Sequence, residues 1–273
     1  MKRSMFSRFA LMLAALAVAA LMFVPRSQSQ SLTSEQIMNA SNDRDQGADF
    51  QSQLRLTGTD AQGNSSELTV DMIVKRTAGS LEAGKARYQV LATVTAPADS
   101  KDLAVLVHEQ DFPTPDDIWL YLPAVGSAKK VVPENFRTSL FGSEFSLEEL
   151  IDREPGLDAH QLLREESVNG RTAWVVKSTP LDPEVAGFAY RITWVDQESF
   201  LQLRMELYDD FDALIKVFVA EQLEVVDGIF TRVVSSAENL ETGRKSTFQF
   251  IDPRYNQGNA DDALFDPANL GKS

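Results

Sequence analysis

The side chains in this sequence that could take part in catalysis are mostly carboxylates, since the chain contains no cysteine and only two histidines. A pair of carboxylates that face each other across a cleft could hydrolyse a glycosidic bond. The acidic pairs here are adjacent in sequence, however, and neighbouring residues of a strand point to opposite faces of a sheet. They therefore indicate an acidic surface and predict no general acid and base. The pairs are Asp116–Asp117, Glu148–Glu149, Glu165–Glu166, Asp209–Asp210 and Asp261–Asp262.

Short motifs that would indicate a nucleophile or a metal ion are incomplete. Ser127 and Lys130 fit the S-x-x-K spacing, but the partner motifs of that enzyme class are absent. Asp43 and Asp45 near Gly47 resemble the start of a calcium loop, yet the glutamate required at its twelfth position is missing. The sequence therefore predicts no enzyme activity, no metal and no cofactor. That the protein is an enzyme acting on envelope lipid or glycan is a hypothesis that no motif supports.

The composition is that of an acidic chain with enough apolar residues for a large core. Of the 273 residues, 43% are hydrophobic and 24% are charged, and the formal net charge is −14. Without the first thirty residues, 22 basic and 40 acidic residues remain, which gives a net charge of −18. Because no basic patch remains, we expect no nucleic-acid partner. The acidic surface also disfavours electrostatic docking onto anionic lipid headgroups.

The first thirty residues have the pattern of a cleavable export signal. A basic start precedes the apolar run 9–24, and Ser27 and Ser29 supply small residues before a cleavage site. The run is shorter than the roughly 20 residues that a membrane-spanning helix needs. We therefore expect residues 1–30 to be a signal peptide and 31–273 to form a single exported domain. Without a cysteine, this domain cannot carry a thiol-linked lipid anchor.

Alternating apolar and polar residues predict strands over most of the remaining chain. The alternation is regular in Phe188–Val195 and Phe200–Tyr208, while Asn169-Gly170 and Asp227-Gly228 predict tight hairpins. The whole pattern gives about eleven antiparallel strands, two or three short helices and no βαβ rhythm. Large open sheets curl. We therefore predict a mainly β fold in which short helices cover the apolar concave face of a curved sheet and solvent meets its convex face.

The most distinctive stretch runs from Asp116 to Leu150. Its first strand carries Trp119 and Tyr121 on one face, and a short return strand at 128–132 carries Lys129 and Lys130. A loop with four large apolar residues follows, and exposing them would cost about 25 cal/mol per Å². Either they fill the concavity permanently or they form a movable cover over a ligand. The four residues are Phe136, Leu140, Phe141 and Phe145.

This stretch resembles the outer-membrane lipoprotein-sorting protein family, in the LolA-like branch of uncharacterised periplasmic proteins. The similarity rests on Trp119–Pro123, on Lys129-Lys130-Val131 and on Phe141–Leu150, and it extends more loosely from about Thr33 to the end. The resemblance implies a half-barrel: an incomplete β-barrel whose opening is covered by short helices, with an apolar cavity between. A movable cover would use Gly142 as its hinge, because glycine has the necessary backbone freedom.

The resemblance also implies a periplasmic carrier or chaperone for lipid or lipoprotein acyl chains, with a role in outer-membrane lipoprotein or lipid sorting. The alternative is a non-enzymatic accessory subunit of an envelope lipid exporter of the resistance-nodulation-division (RND) type. For that inner-membrane partner, Lys129 and Lys130 are the candidate contacts. The candidate cavity and cover residues are Trp119, Tyr121, Phe136, Leu140, Phe141, Gly142, Phe145, Trp174 and Trp194.

Overall fold

Thirteen antiparallel strands form one sheet in the computed structural model of the chain. The structure describes residues 31–77, 86–110, 114–131, 140–145, 153–182 and 186–272. The predicted mainly β class is confirmed, with two strands more than the approximate number predicted. The strands are β1 (Asp49–Thr59), β2 (Ser65–Arg76), β3 (Tyr88–Ala96), β4 (Ala104–Glu109), β5 (Asp117–Leu122), β6 (Ser127–Lys130), β7 (Asp158–Val168), β8 (Arg171–Pro180), β9 (Tyr190–Asp196), β10 (Gln202–Tyr208), β11 (Leu214–Val226), β12 (Ile229–Asn239) and β13 (Arg244–Tyr255).

The strand order places the first and last strands side by side. It runs β6-β5-β4-β3-β2-β1-β13-β12-β11-β10-β9-β8-β7, so every pair of neighbours except β1 and β13 is also consecutive in the chain. Strands β6 and β7 are consecutive in sequence but lie at opposite edges of the sheet.

Two of the hairpins follow directly from their turn residues. Asn169 and Gly170 both have positive φ angles, 51° and 80°, and they connect β7 to β8. Asp227 and Gly228, with φ angles of 50° and 87°, connect β11 to β12 in the same way. Positive φ at both central positions defines the turn whose twist matches that of the flanking strands. Both predicted hairpins are present.

The inner face of the sheet is apolar and carries a cluster of buried side chains. Leu54 and Leu56 of β1 are buried, whereas Arg55 between them is exposed. Across the β1–β13 ladder, Leu54 pairs with Phe250 and Leu56 pairs with Phe248. This alternation is the period of two that a half-buried strand requires. The inner face is therefore defined here as the face that carries these four apolar residues.

One α-helix, α1 (Ser34–Asn42), occurs among the described residues. The backbone N–H of Gln36 donates to Oγ1 of Thr33, and the backbone N–H of Thr33 donates to Oε1 of Gln36, which together form a capping box. Ile37 and Met38 are buried, and the helix contacts β7 and β9. The sequence of 32–46 begins with a helix signal in which Thr33 or Ser34 can be the cap, and the structure confirms a helix there with Thr33 as the cap.

Buried ion pairs lie close to α1, where β7 begins. Asp158 accepts from Nε of Arg153 at 3.0 Å, and its second oxygen lies 3.0 Å from a guanidinium nitrogen of Arg191. All three side chains are at least nine-tenths buried. His160, two residues further along β7, bonds Ser178 through Nδ1 and the carbonyl oxygen of Pro155 through Nε2. Charged and polar groups thus join the strands at this edge of the sheet.

The C-terminal segment covers part of the outer face of the sheet. Phe265 and Leu270 are buried in one cluster with Leu106 of β4. The carbonyl oxygen of Phe265 lies 2.8 Å from Nε2 of His108. The sequence predicts that solvent meets the outer face, except at residues 102–109, whose nearly continuous apolar run indicates burial on both faces. β4 is covered on both faces, whereas the expectation of an exposed outer face was wrong for its neighbours β3 and β5, which pack in the same cluster. The sequence indicates a short apolar helix at 263–270. The structure instead has two 3₁₀ turns, Asp262–Phe265 and Pro267–Asn269, because Pro267 lacks the N–H that a continuous helix would use.

Candidate functional site

A cavity of about 280 Å³ lies against the inner face of the sheet. Its walls are built from strands β1 to β4 and β10 to β13. Asn42, at the end of α1, also reaches it. The apolar lining from these strands and from the residue before β10 comprises Phe50, Leu54, Val70, Met72, Val74, Val90, Ala92, Val105, Val107, Leu201, Leu203, Met205, Phe218, Val219, Ala220, Phe230, Phe248 and Phe250.

The span of this lining requires a strongly curved sheet. Strands β4 and β10 are separated by seven strand spacings in the sheet order, which would place them about 34 Å apart if the sheet were flat. Val105 of β4 and Met205 of β10 nevertheless line the same cavity. The sheet therefore curls around the cavity, as predicted, and its β6 and β7 edges do not pair with each other.

A short aromatic segment, residues 140–145, covers one part of the cavity. Both Phe141 and Phe145 line it. The Phe145 side chain is only 3% exposed, and its ring centroid lies 5.1 Å from that of Phe248 and 6.0 Å from that of Phe218. Phe141 is partly exposed and packs beside Ile118. The aromatic segment therefore forms part of the inner core.

Polar contacts to β13 hold the aromatic segment in place. Arg244 donates to the carbonyl oxygen of Gly142 at 2.7 Å and to a carboxylate oxygen of Glu144 at 2.9 Å. The backbone N–H of Glu144 donates to Oγ of Ser246 at 2.9 Å. Phe141 and Gly142 have φ angles of 52° and 78°, a left-handed conformation that is unfavourable for phenylalanine. The segment thus combines buried aromatic packing with a strained turn.

Two predictions for the chain around this segment lie outside the described residues. They are the place of Phe136 in the cover and a short helix that the capping-box pattern beginning at Ser146 indicates. Leu140 is described only as the first residue of the 3₁₀ turn Leu140–Gly142. Whether Gly142 acts as a hinge stays a prediction.

Trp119 and Tyr121 do not line the cavity. They lie on the outer face of β5, in the cluster that contains Phe265 and Leu270. Ile118, on the opposite face of the same strand, packs with Val105 toward the cavity side. The alternation predicts that β5 has two distinct faces, but both faces are apolar, so the pattern cannot show which one points inward.

The other two predicted tryptophans pack within the sheet away from the cavity lining. The Trp174 ring lies 5.5 Å from that of Phe200. Trp194 is 5% exposed, and the guanidinium groups of Arg164 and Arg204 lie 5.9 and 5.6 Å from its ring centroid. Each tryptophan therefore has a packing role in this half of the sheet.

Lys129 and Lys130 are exposed on the edge strand β6. The Lys130 ammonium lies 2.5 Å from a carboxylate oxygen of Asp117 and 5.6 Å from the ring centroid of Trp119. Val125, in the turn before β6, is 54% exposed. The predicted contact residues are thus accessible, although the Lys130 side chain also contacts two residues of β5 in the same hairpin.

One end of the cavity is polar, and no sequence pattern indicates it. Arginines and two tyrosines line it on the loop before β1 and on strands β3, β4, β12 and β13, with two carboxylates among them. Arg204 of β10 also lines the cavity, but the ladder pairs Arg204–Val219, Val219–Ser236 and Ser236–Thr247 place it near the other end of β13. Since the charged and tyrosine lining residues come from six separate segments, no sequence spacing connects them. The charged and tyrosine lining residues are Arg44, Asp45, Arg87, Tyr88, Glu109, Arg204, Arg232 and Tyr255.

The environment of the tyrosines shows that these groups interact. Burial raises the pKa of the Tyr88 phenol, and the nearby Arg76 and Arg87 partly oppose this increase. Burial also raises the pKa of Tyr255, while Arg44 and Arg232 oppose it. The guanidinium carbons of Arg76 and Arg87 lie 5.5 and 5.4 Å from the Tyr88 ring centroid. Both phenols therefore stay neutral hydrogen-bonding groups at neutral pH.

Arg87 lies among three carboxylates. It forms an ion pair with Glu109 and lies 2.9 Å from Glu154 and 3.9 Å from Asp43. Within the described ranges, no three side chains that could bind a metal ion come together. Nor does any helix there have the length and apolar character needed to cross a bilayer. The polar end of the cavity is thus built from hydrogen-bonding and charged groups.

Solved structures similar to this chain share its fold. A DUF1329 family protein from Desulfovibrio piger is 23% identical, with a TM-score of 0.78, over 87% of this chain and 97% of that one. A domain assigned to the outer membrane lipoprotein-sorting proteins, from Vibrio parahaemolyticus, is 24% identical, with a TM-score of 0.77, over 87% and 98%. A LolA superfamily protein from Nitrosomonas europaea is 18% identical, with a TM-score of 0.63, over 86% and 98%. The fold is therefore LolA-like.

A comparison with curated protein sequences finds no match. A family model described only as that of an uncharacterized protein matches residues 87–272, which is more than half of the chain. The matched region contains the hairpin β5–β6, the aromatic segment and the C-terminal segment that carry the resemblance noted in the sequence. The chain therefore belongs to this family of uncharacterised proteins with the LolA-like fold.

Proposed function

We propose that the protein is a periplasmic carrier that shields the acyl chains of a lipid or lipoprotein from water during sorting to the outer membrane. The observation that carries this proposal is the cavity against the inner face, whose walls are largely apolar. Each buried methylene group contributes about 0.8 kcal/mol, so an acyl chain can be held without specific polar contacts. The similar structure from Vibrio parahaemolyticus, which is assigned to lipoprotein sorting, is consistent with this role.

The aromatic segment supplies the cover in this proposal. Its two phenylalanines occupy space on the inner face that an acyl chain could also occupy. Polar contacts to Arg244 and Ser246 hold it at one point of β13. When cargo enters, displacement of the rings of Phe141 and Phe145 would enlarge the cavity, and the rings would return when cargo leaves.

The test is native mass spectrometry with organic extraction of protein purified from its own cell envelope without detergent. We expect a discrete added mass that extracts as lipid. A clean mass without ligand, in the unchanged protein and in Phe141→Ala and Phe145→Ala alike, would contradict the carrier proposal.

The same spectra test the proposed export. Removal of residues 1–30, together with recovery in the periplasmic fraction, is the expected result. Protein that retains these residues and sediments with the membrane would contradict both the cleavage and the periplasmic location.

The second candidate function is that of an accessory subunit of an RND-type envelope lipid exporter. It is favoured by the exposure of Val125 beside the two lysines of the edge strand β6. An edge strand offers unpaired backbone groups to a partner chain. We expect Lys129→Glu combined with Lys130→Glu to abolish capture of the transporter from detergent-solubilised inner membrane. Arg55→Glu combined with Arg254→Glu is the control of equal charge, and equal capture by both variants would contradict this candidate.

A further inference from the structure

The cavity differs chemically between its two ends. At one end the aromatic segment contacts the start of β13, where Glu144 bonds to Ser246. At the other end β13 finishes at Tyr255, which packs against Phe50 with ring centroids 4.8 Å apart. Ser246 and Tyr255 are separated by roughly 30 Å of strand at about 3.3 Å per residue. A molecule lying along β13 would thus have an apolar end and a polar end in defined positions.

Cationic side chains line the polar end although the chain as a whole has a formal net charge of −14. Arg44, Arg87 and Arg232 lie there with Asp45 and Glu109, and Arg87 forms an ion pair with Glu109. Arginine side chains in the wall of a cavity are unexpected for a site that takes only apolar material. Arginine binds carboxylate and phosphate groups through a rigid set of N–H donors.

Two arginines line the cavity together with a tyrosine at this end, and these residues are Arg44, Arg232 and Tyr255. Burial raises the pKa of the Tyr255 phenol, and both arginines oppose this increase. The Tyr255 hydroxyl lies 3.1 Å from Oγ1 of Thr231, a side chain that is buried. Arg44 is also held by a 2.6 Å hydrogen bond to the carbonyl oxygen of Ser41, at the end of α1. The hydrogen-bonding groups are therefore positioned by separate rigid elements.

We propose that Arg44, Arg232 and Tyr255 bind the anionic headgroup of the cargo, so that the carrier selects an acyl chain that ends in a carboxylate or phosphate. This inference rests on the proposed carrier function and specifies its ligand class. The acyl chain lies against the apolar walls, and the headgroup accepts hydrogen bonds from the two guanidinium groups and the phenol. Asp45, which also lines this end, restricts the headgroup to the arginine side.

The test compares two fluorescent probes that have the same chain, cis-parinaric acid and its methyl ester. We expect the acid to bind at least about tenfold more tightly than the ester, since hydrogen bonds to charged groups are the stronger class. Arg44→Gln and Arg232→Gln should each weaken binding of the acid by about tenfold and leave binding of the ester unchanged. Arg254→Gln, an exposed arginine on β13 that does not line the cavity, is the matched control.

The possible outcomes separate the two proposals. Equal affinity for acid and ester would overturn the headgroup inference and leave the carrier function intact. Absence of binding for both probes would overturn the carrier function itself. A preference for the acid that survives both arginine substitutions would exclude these residues as the headgroup site. Displacement of the acid by inorganic phosphate alone would show that the site takes a free anion.

Circular dichroism of each variant confirms that it is folded, and Arg232→Lys, which retains the charge, replaces any variant that is not.

Discussion

The loss of stability when Phe145 is truncated tests whether the aromatic segment belongs to the core. Its side chain is 3% exposed and packs against Phe248 and Phe218. We expect Phe145→Ala to lower the free energy of unfolding by about 3–5 kcal/mol, as is usual for a buried phenylalanine. Urea denaturation of Phe141→Ala, at a partly exposed position on the same segment, is the control and should show a smaller loss. Equal losses would indicate that the two rings are equally buried in solution.

Asp158 is the residue for which a single change of charge should matter most to stability. It lies between Arg153 and Arg191, and none of the three side chains is more than 7% exposed. Asp158→Asn leaves two buried guanidinium groups without their carboxylate and should cost about 3–5 kcal/mol. Asp252→Asn, which removes an exposed carboxylate beside Arg254, should cause no measurable loss of stability. A similar thermal midpoint for both variants would contradict the burial of this cluster.

His160 should give the stability a specific pH dependence. Burial lowers the pKa of this imidazole below its ordinary value of 6.5. The unfolded chain therefore binds a proton at a higher pH than the folded chain does, so the contribution of His160 is complete above pH 6.5 and is lost as the pH falls through the folded pKa. We expect urea midpoints of the unchanged protein to fall more steeply than those of His160→Gln as the pH decreases below this value. Parallel profiles would exclude a role for the imidazole.

At the scale of elements, Arg244 connects the aromatic segment to β13. Its guanidinium contacts both Gly142 and Glu144. Arg244→Ala should speed hydrogen exchange at the backbone N–H of Glu144, because the bond to Ser246 then depends on the aromatic packing alone. Lys245→Ala, one residue along the same strand, removes an exposed ion pair and is the control. Unchanged exchange in Arg244→Ala would show that the phenylalanines hold the segment without this contact.

The C-terminal segment packs closely against β5 on the outer face at Gly271. Gly271 has a φ angle of 80°, and a Cβ atom there would overlap the ring of Tyr121. Gly170 has the same φ angle of 80° but no atom within 4 Å of that position. We expect Gly271→Ala to lower the thermal midpoint more than Gly170→Ala, since both carry the backbone strain but only the first displaces a side chain. Equal midpoints would mean that the segment can move away from β5 without loss.

The elements themselves could largely be predicted from local patterns. Asn169-Gly170 and Asp227-Gly228 specify their turns by backbone conformation alone, and Thr33 with Gln36 specifies the start of α1. The orientation of β5 could not be predicted in this way, because the side chains on both of its faces are apolar. Which face meets the cavity is decided by the C-terminal segment, and Phe265 is distant in sequence from the strand that it covers.

At the scale of the whole molecule, the apolar half of the candidate site was foreseeable and the polar half was not. Phe141 and Phe145 are conspicuous in sequence because large apolar residues are unusual in a loop. Arg44 and Arg232 attract no attention individually, and they line one cavity only because β1 pairs with β13. Residues that are brought to one cavity by long-range strand pairing have no characteristic spacing in the sequence, so they cannot be recognised from it.

The pairing of β1 with β13 also has a consequence for how the chain folds. Strands β1 to β6 and strands β7 to β13 are each joined by local hairpins, whereas the ladder between Leu56 and Phe248 connects opposite ends of the described chain. The entropic cost of closing a loop increases with its length, so non-local pairs of this kind form late and slowly. Until they form, each half presents its apolar inner face to water. The cavity is therefore the last feature to be assembled, and the nascent chain is most vulnerable to aggregation just before it acquires the ability to carry a ligand.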